Sequence, residues 1–156
     1  MATKAPRELS PMLYEAGKKL LDKEFPNVEV EQNMRDLFGY SINGDCIEIE
    51  VKASLEDFYK EFNKPCKRDK HKSIEWSRRN GVGYCPTRFY FIVPYHLKFT
   101  CLRKMNRHRP QYGMIVFNQV TGECQIYKKA KRLTDRPYMG EKIPKKYSKF
   151  KEAYIG

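Results

Sequence analysis

An aspartate, a glutamate and a lysine of this sequence have the spacing of a site for metal-assisted hydrolysis. Glu50 and Lys52 form an E-x-K triplet, and Asp36 lies fourteen residues before Glu50. Carboxylates are the ligands that Mg²⁺ and Mn²⁺ prefer, and a bound metal ion can turn a water molecule into a nucleophile. We therefore predict Asp36 and Glu50 as Mg²⁺ or Mn²⁺ ligands, joined by the backbone carbonyl of Val51. Lys52 would orient the water or offset charge on a phosphate.

An isolated E-x-K triplet is more often a solvated surface pair than a catalytic site. A predicted β-hairpin around this triplet makes a catalytic site the better interpretation. Residues 35–42 and 46–53 are predicted as two strands around Asn43-Gly44, a dipeptide typical of tight turns. Side chains alternate between the two faces of a strand. The second strand therefore has two different faces. The core face carries Ile47, Ile49 and Val51, and the charged face carries Glu48, Glu50 and Lys52.

The register of this hairpin decides the face on which Asp36 lies. A two-residue loop would pair Asp36 with Val51, on the wrong face of the sheet. One additional residue, in a three-residue loop or a β-bulge, would pair Asp36 with Lys52 instead. We expect the longer connection, because the metal site requires it.

Helices are predicted before and after the hairpin. Ser10 can cap a first helix whose first position is Pro11, and Ser54 resembles the start of a capping box that opens a second helix to about Phe62. The polar, basic stretch 63–83 is predicted as a helix-loop insertion that is partly mobile.

Further strands complete the predicted fold. Residues 28–30 alternate like a short strand, and the apolar run 88–93 is typical of a buried central strand. Residues 114–117 and 125–127 are predicted as a hairpin around Thr121-Gly122. The fold class is therefore α/β, with a mixed central β-sheet flanked by helices.

Size and charge favour one domain that binds a polyanion. The 156 residues suffice for one core, and we divide them into a domain at 1–133 and a basic C-terminal tail at 134–156. Residues 1–59 carry a formal net charge of −5, and residues 60–156 carry +17. An acidic part that holds the candidate site, joined to a strongly basic part, favours nucleic acid as partner over a merely solvated surface.

Other protein classes fit the sequence less well. The five cysteines contain no C-x-x-C pair, which argues against a zinc ribbon and a dithiol redox site. No apolar run reaches the roughly eighteen residues of a membrane span, and the N-terminus lacks an apolar signal core. We expect a cytoplasmic protein with reduced thiols and no membrane partner.

The segment NMRDLFGYSINGDCIEIEVKAS resembles the active-site core of the PD-(D/E)xK nuclease superfamily. Asp36 matches its first acidic position, Glu50 its second and Lys52 its lysine, whereas Arg35 replaces the proline of the superfamily name. The resemblance implies a restriction-endonuclease-like core and Mg²⁺- or Mn²⁺-dependent cleavage of nucleic acid, with DNA favoured over RNA.

Later segments are similar to a narrower group, the MmcB-like DNA repair proteins and small phage-encoded relatives. The similar elements are Asp57-Phe58, the basic segment 70–72 and the strand with its proline at 88–94, and the resemblance covers about residues 11–133. It implies a role in DNA repair or in phage biology, in the cytosol of a bacterium or a phage-infected host. A domain this small could need a second copy of itself to grip both DNA strands.

Several other acidic residues are candidates for metal ligands. The first helix of the superfamily sometimes supplies an acidic residue, for which Glu15 is the best candidate and Glu31 a competitor. Glu48 stands where an apolar residue is usual, and we expect it to be exposed at the sheet edge rather than a ligand. Asp57 and Ser54 are expected to cap a helix.

Basic and aromatic residues supply candidates for nucleic-acid contact. Lys70, His71 and Lys72 could contact phosphates, and the imidazole could act near neutral pH, although a solvated loop is the simpler interpretation. An acid-free patch would add backbone contacts without base specificity: Lys98, Arg103, Lys104, Arg107 and Arg109. Three aromatic residues could stack on unpaired bases, with core burial as the commoner role: Trp76, Tyr84 and Tyr112.

The sequence leaves more than one function class open. A metal-dependent nuclease explains the presence of Asp36, Glu50 and Lys52 together. A non-catalytic nucleic-acid-binding or phage–host interaction protein would keep the nuclease fold without cleaving. A basic structural protein of a ribonucleoprotein fits the charge but leaves the carboxylates unexplained.

Overall fold

The computed structural model describes residues 5–24, 29–33, 36–40 and 45–136, and the side chains of 29–33, 36 and 40 lie outside the description. Arg35, Asn43-Gly44 and most of the predicted tail also fall outside it. The helices and strands within these ranges are, in chain order, α1 (Pro6–Glu24), β1 (Glu29–Asn33), β2 (Asp36–Tyr40), β3 (Cys46–Val51), α2 (Leu55–Asn63), α3 (Pro65–Asn80), β4 (Arg88–Pro94), α4 (Lys98–His108), β5 (Gly113–Asn118) and β6 (Glu123–Lys128).

The six strands form one mixed sheet in the order β1-β2-β3-β4-β5-β6. Neighbours pair antiparallel from β1 to β3, parallel from β3 to β5, and antiparallel between β5 and β6. The two parallel connections are helical: α2 and α3 link β3 to β4, and α4 links β4 to β5. The predicted α/β class with a mixed central sheet and flanking helices is confirmed.

Each face of the sheet carries its own layer of helix. On one face, α1 packs Leu13 and Leu20 against the apolar side of β3. On the other face, α2, α3 and α4 pack against β4 and β5 through residues such as Phe58, Ile74 and Met105. The alternation predicted for β3 is confirmed, because Ile47, Ile49 and Val51 belong to the α1 side.

The hairpin register differs from the predicted one. Asp36 pairs with Glu50, not Lys52, and Tyr40 pairs with Cys46. The start of β3 is held by its other neighbour, since Cys46 exchanges hydrogen bonds with Thr87. The described pairing of β2 with β3 ends at Tyr40 and Cys46. A shift of two residues leaves Asp36 on the predicted face of the sheet.

Two helix predictions are corrected. Helix α1 begins at Pro6, so Ser10 is not its cap and Pro11 lies inside it; the Ser10 hydroxyl donates to the carbonyl of Pro6 at 3.0 Å. The helix extends this far because Leu9 is buried in the core. The predicted cap of α2 is confirmed, since the Ser54 hydroxyl accepts a hydrogen bond from the Asp57 backbone N–H at 3.2 Å.

The stretch 63–83 contains more helix and less loop than predicted, because most of it forms the sixteen-residue helix α3. Pro65 occupies its first turn, and Gly81 ends it in the left-handed conformation with φ of 72°. The inward face of α3 includes His71 and Ile74, and few of its other residues are apolar. The helix therefore shows little of the apolar periodicity that would have predicted it.

The remaining strand predictions are confirmed. Strand β4 is buried from Phe89 to Pro94, and the β5–β6 hairpin turns through Gly122, whose φ is 76°. All five cysteines carry free thiols. None of the helices in the described ranges is long and apolar enough to cross a lipid bilayer.

Gly113 gives a test of the packing between β4, β5 and the following segment. A Cβ atom at this position would lie 2.4 Å from Tyr90 Cε1 and 2.5 Å from the backbone nitrogen of Ala130. We expect Gly113→Ala to lower the free energy of unfolding by about 1–3 kcal/mol, measured by urea denaturation. In the control Gly17→Ala, the closest contact is the movable tip of the Leu37 side chain, at 2.7 Å. Equal losses in the two variants would contradict this packing.

Candidate active site

Charged side chains converge on the sheet face that α2 and α3 cover. We call this group the buried ionic cluster; it consists of Glu48, Glu50 and Lys52 from β3 and the residue after it, Glu61 from α2, and Lys67 and Lys70 from α3. Its three glutamates and Lys52 are each at most 1% exposed. Charges are buried this deeply only when partners compensate the loss of water.

Lys52 is the centre of the cluster. Its backbone N–H donates to the carbonyl of Ile92 at 3.0 Å, which fixes the residue against β4. Its Nζ atom lies 2.7 Å from Glu61 Oε1, 3.5 Å from Glu50 Oε1 and 4.0 Å from Asp57 Oδ2. The ammonium group is therefore surrounded by carboxylates from β3 and α2.

Two lysines of α3 close the cluster from the other side. Lys67 Nζ lies 3.5 Å from Glu50 Oε1 and 3.6 Å from Glu61 Oε1. Lys70 Nζ lies 2.6 Å from Glu48 Oε2 and 3.5 Å from Glu50 Oε2. The side chain of Lys67 is 35% exposed, so the cluster meets solvent along α3.

The burial of Glu48 differs from the prediction made from the sequence. We expected this residue to be exposed at the sheet edge, yet it is fully buried. Its two carboxylate oxygens accept hydrogen bonds from Lys70 Nζ and from the Tyr84 hydroxyl, each at 2.6 Å. These two partners replace the water that a surface glutamate would have.

His71 links the cluster to the aromatic core. Its Nε2 atom lies 2.6 Å from Glu61 Oε2, and its Nδ1 atom lies 2.8 Å from the Tyr112 hydroxyl oxygen. Burial lowers the pKa of His71, and this outweighs the opposite effect of Glu61. Burial also raises the pKa of Tyr112. For Glu61, burial is outweighed by the hydrogen bond with His71 and the charge of Lys52, which hold its pKa well below the ordinary value.

The structure brings the predicted catalytic positions together through the β2–β3 register. Asp36 lies directly opposite Glu50, and residues paired in this way share one face of an antiparallel sheet. The side chain of Asp36 itself is outside the description, as is that of Glu31. Val51 ends β3 between Glu50 and Lys52. Glu15 is exposed on α1, across the sheet from the cluster, so the structure does not bring it to the site.

The site offers carboxylate oxygen, which is the donor type that a hard divalent cation prefers. Among the described atoms, Glu50 Oε2 is buried without a hydrogen-bond partner, and Lys70 Nζ lies 3.5 Å from it. Within the described side chains, which omit that of Asp36, no three histidine, cysteine, aspartate or glutamate residues form a metal-binding group. A cation held by Glu50 would therefore depend on Asp36, backbone oxygen, water and substrate, the kind of ligand set that Mg²⁺ commonly has.

The predicted nucleic-acid contacts divide into exposed and buried groups. Lys72, Arg103 and Arg107 are exposed. Lys104 lies over the Tyr59 ring, with Nζ 5.1 Å from its centroid. Helix α4, which contains no acidic residue, thus presents a basic surface beside α2. His71, in contrast, is buried and does not reach this surface.

The three aromatic candidates for base stacking differ in their exposure to solvent. Trp76 is exposed on α3. Tyr112 is buried, with its ring stacked on Phe89 at a centroid distance of 4.4 Å. The Tyr84 hydroxyl donates a hydrogen bond to Glu48. Of the three, only Trp76 has its ring largely at the surface.

Two members of the cluster were not predicted from the sequence. Glu61 follows Phe58 by three residues and precedes Phe62, so it lies in the inward apolar stripe of α2. A carboxylate in an apolar stripe is a signal that could have identified it. Lys67 carried no comparable signal, because α3 itself was not predicted as a continuous helix.

Comparisons with known proteins bear on the fold. The chain matches no protein-family profile and no curated protein. A protein of unknown function from Silicibacter pomeroyi superposes with a TM-score of 0.56 at 13% identity, over 99% of this chain and 84% of the other. An XisH family protein from Nostoc punctiforme gives a TM-score of 0.46 at 16% identity, over 74% and 98% of the two chains. An fdxN element excision controlling factor from Anabaena variabilis gives 0.41 at 17% identity, over the same shares.

The pKa of His71 predicts how stability depends on pH. The unfolded histidine, with a pKa of 6.5, binds a proton that the folded one resists, so stability falls as pH drops below about 6.5. We expect His71→Gln to flatten the decline in unfolding free energy between about pH 7 and about pH 5, measured by urea titration. The lowered pKa of Glu61 also makes stability fall with falling pH, but only below about pH 4.5.

The matched control is His96→Gln, which replaces an exposed histidine and should keep the wild-type slope. Burial also lowers the pKa of His108, and this residue contributes equally to the pH dependence of stability in the wild type and in both variants. A His71→Gln slope as steep as that of the wild type would show that the folded imidazole takes up its proton normally.

Proposed function

We propose that this protein is a metal-dependent nuclease that hydrolyses phosphodiester bonds in DNA, with Asp36 and Glu50 as ligands of Mg²⁺ or Mn²⁺. The observation that supports this most is the register, which pairs Asp36 with Glu50 two residues before Lys52. Two acidic positions and a lysine thereby share one site, at the end of a strand that has neighbours on both sides.

The burial of the cluster argues for a functional origin. Replacing a buried ion pair by apolar residues of similar size is often neutral or stabilising. Next to the cluster, β4 fills the same face of the sheet with Phe89 and Phe91, so an apolar alternative was compatible with this fold. Deeply buried ionisable groups with perturbed pKa values, here Glu61 and the adjoining His71, are typical of active sites, which favours chemistry over stability.

Each residue of the cluster has a distinct contribution in this proposal. When bound, the cation would supply an activated water molecule and offset phosphate charge. Lys52 holds a positive charge beside Glu50, in a water-poor site where it can stabilise negative charge that develops on the phosphate. Lys67 lies between Glu50 and solvent, where a backbone phosphate would enter.

The lysines of α3 couple substrate entry to cation entry. Lys67 and Lys70 both lie 3.5 Å from oxygens of Glu50. A cation on Glu50 would repel these ammonium groups, whereas an incoming phosphate would attract them. Binding of the cation and of the phosphate should therefore favour each other.

The choice of DNA rests on the resemblance to the PD-(D/E)xK superfamily and its MmcB-like members. The same resemblance suggests a role in DNA repair or phage biology. The basic surface of α4 offers sequence-independent backbone contacts for either strand. A second copy of the chain would be one way to hold both strands of a duplex.

Cleavage assays with labelled linear, circular and branched DNA, and with RNA, test the proposal. With Mg²⁺ or Mn²⁺ we expect DNA cleavage that EDTA abolishes. Lys52→Ala should slow single-turnover cleavage by about 10²-fold or more, because it removes charge stabilisation at the phosphate. Asp36→Ala should remove metal-dependent cleavage.

The control variant is Lys19→Ala, an exposed lysine of α1 on the opposite side of the sheet, which should cleave like the wild type. Cleavage that survives both Lys52→Ala and Asp36→Ala would place the activity elsewhere or in a contaminant.

Salt dependence tests the α4 surface separately. Arg103→Ala/Arg107→Ala should weaken DNA binding and reduce the slope of log Kd against log salt by about 0.9 per lost phosphate contact, measured by fluorescence anisotropy. The variant Arg7→Ala/Lys19→Ala removes the same charge from exposed positions of α1. Equal effects of the two double variants would show that net charge, and not α4, determines affinity.

A non-catalytic DNA-binding protein is the second candidate function. The observation in its favour is that Glu50 is at most 1% exposed and that lysines contact both of its carboxylate oxygens. In that case α3 would keep the site closed, and the basic surfaces alone would bind DNA. Salt-dependent binding without cleavage under any metal condition would establish this alternative.

A further inference from the structure

Two hydrogen bonds and one ion pair form a series that links Tyr112, His71 and Glu61 to Lys52. The Tyr112 hydroxyl lies 2.8 Å from His71 Nδ1, and His71 Nε2 lies 2.6 Å from Glu61 Oε2. The other oxygen of Glu61, Oε1, lies 2.7 Å from Lys52 Nζ. The series thus runs from the residue before β5, through α3 and α2, to the end of β3.

We infer that Glu61 is the positioning residue for Lys52, and that His71 and Tyr112 hold Glu61 in the orientation that this requires. The consequence for catalysis rests on the proposed nuclease function, whereas the positioning itself is a property of the folded chain. Neither Glu61 nor His71 would touch the substrate in this arrangement.

Among the carboxylates whose side chains the structure describes, Glu61 is better suited to hold Lys52 than Glu50 or Asp57. Glu50 lies farther away, at 3.5 Å, and its oxygens are shared with Lys67 and Lys70. Asp57 lies 4.0 Å away, and its side chain is partly exposed. If Glu50 binds a cation, Glu61 remains as the partner that keeps the Lys52 ammonium in place.

The direction of the hydrogen bonds follows from the chemistry of the three partners. A carboxylate only accepts, so His71 must donate to Glu61 from Nε2. A neutral imidazole has one N–H, so Nδ1 must then accept from the Tyr112 hydroxyl. The opposite tautomer would direct a nitrogen lone pair at the carboxylate. The neighbours therefore select one tautomer of His71.

Aromatic packing keeps the series rigid. The His71 ring stacks on Phe62 at 6.2 Å and meets the edge of Phe89 at 5.3 Å between centroids. Phe89 also stacks on Tyr112 at 4.4 Å. These contacts restrict rotation of the imidazole and phenol rings, as preorganised supporting residues require.

The tautomer of His71 in Glu61→Gln tests the inference without any activity measurement. The carbonyl of the introduced amide must face Lys52, which only donates, so the amide N–H would point at His71 Nε2. His71 should respond by moving its proton to Nδ1, from which it can donate to the Tyr112 oxygen. ¹⁵N NMR of the imidazole should report Nε2–H in the wild type and Nδ1–H in Glu61→Gln. An unchanged Nε2–H tautomer in folded Glu61→Gln would overturn the inference.

Tyr112→Phe provides a second variant that keeps the ring stacked on Phe89. It removes only the hydroxyl, so His71 should keep its proton on Nε2 and still donate to Glu61. A shift to Nδ1–H in Tyr112→Phe would show that Tyr112, rather than Glu61, selects the tautomer, and would equally overturn the inference.

Kinetics then separate positioning from substrate binding. In Glu61→Gln, single-turnover cleavage should fall by about 10²-fold while the Kd for DNA stays within about twofold, because a misplaced Lys52 affects the reaction step. The control Glu75→Gln removes a carboxylate from a surface pair on the same helix as His71 and should cleave normally. Cleavage by Glu61→Gln at the wild-type rate would overturn the positioning role. A wild type that never cleaves would end the proposed function and leave the NMR result to decide the positioning.

Discussion

The buried ammonium group of Lys52 is the constraint on which this side of the molecule depends. The backbone N–H of Lys52 donates to Ile92 of β4, which fixes the point from which the side chain extends. A charge in this position requires carboxylates, and among the described side chains the closest is that of Glu61 of α2. Helix α2 must therefore begin almost immediately after β3, and the Ser54 cap starts it there. One buried charge thus fixes the position of the helix that follows it.

A second set of contacts follows from the first. Glu61 has two oxygens, and only one is needed by Lys52, so the other must also find a donor. His71 supplies it from α3, and Tyr112 in turn supports His71 from the opposite side of the ring. Removing one partner from such a buried pair typically costs about 3–5 kcal/mol, because the remaining charge is left without compensation. The packing of α2 and α3 on the sheet is therefore as much electrostatic as hydrophobic.

This mixture of charge and packing explains what could be predicted from the sequence. The period of two in β3 correctly separated Ile49 from Glu50, because one face of that strand is apolar. The same reasoning failed for Glu48 and for α3, since a buried ionic face has the composition of an exposed one. Pro65 and Gly81 marked the ends of α3, but its interior gave no apolar period to connect them. The partners of Lys52 come from separate elements, and no local pattern specifies that they meet.

In the proposed nuclease, the formal charge of the cluster would explain how a site this buried admits a substrate. Its three glutamates, at 48, 50 and 61, are balanced by three lysines, at 52, 67 and 70, so the closed cluster is neutral. Asp36 gives the site a formal charge of −1, one phosphodiester would take it to −2, and a divalent cation would cancel both charges. Either the cation or the phosphate alone would leave uncompensated charge in a water-poor site, which is costly. In the proposed nuclease, the phosphate would therefore enter only together with the cation, and the lysines of α3 would exchange one set of anionic partners for another.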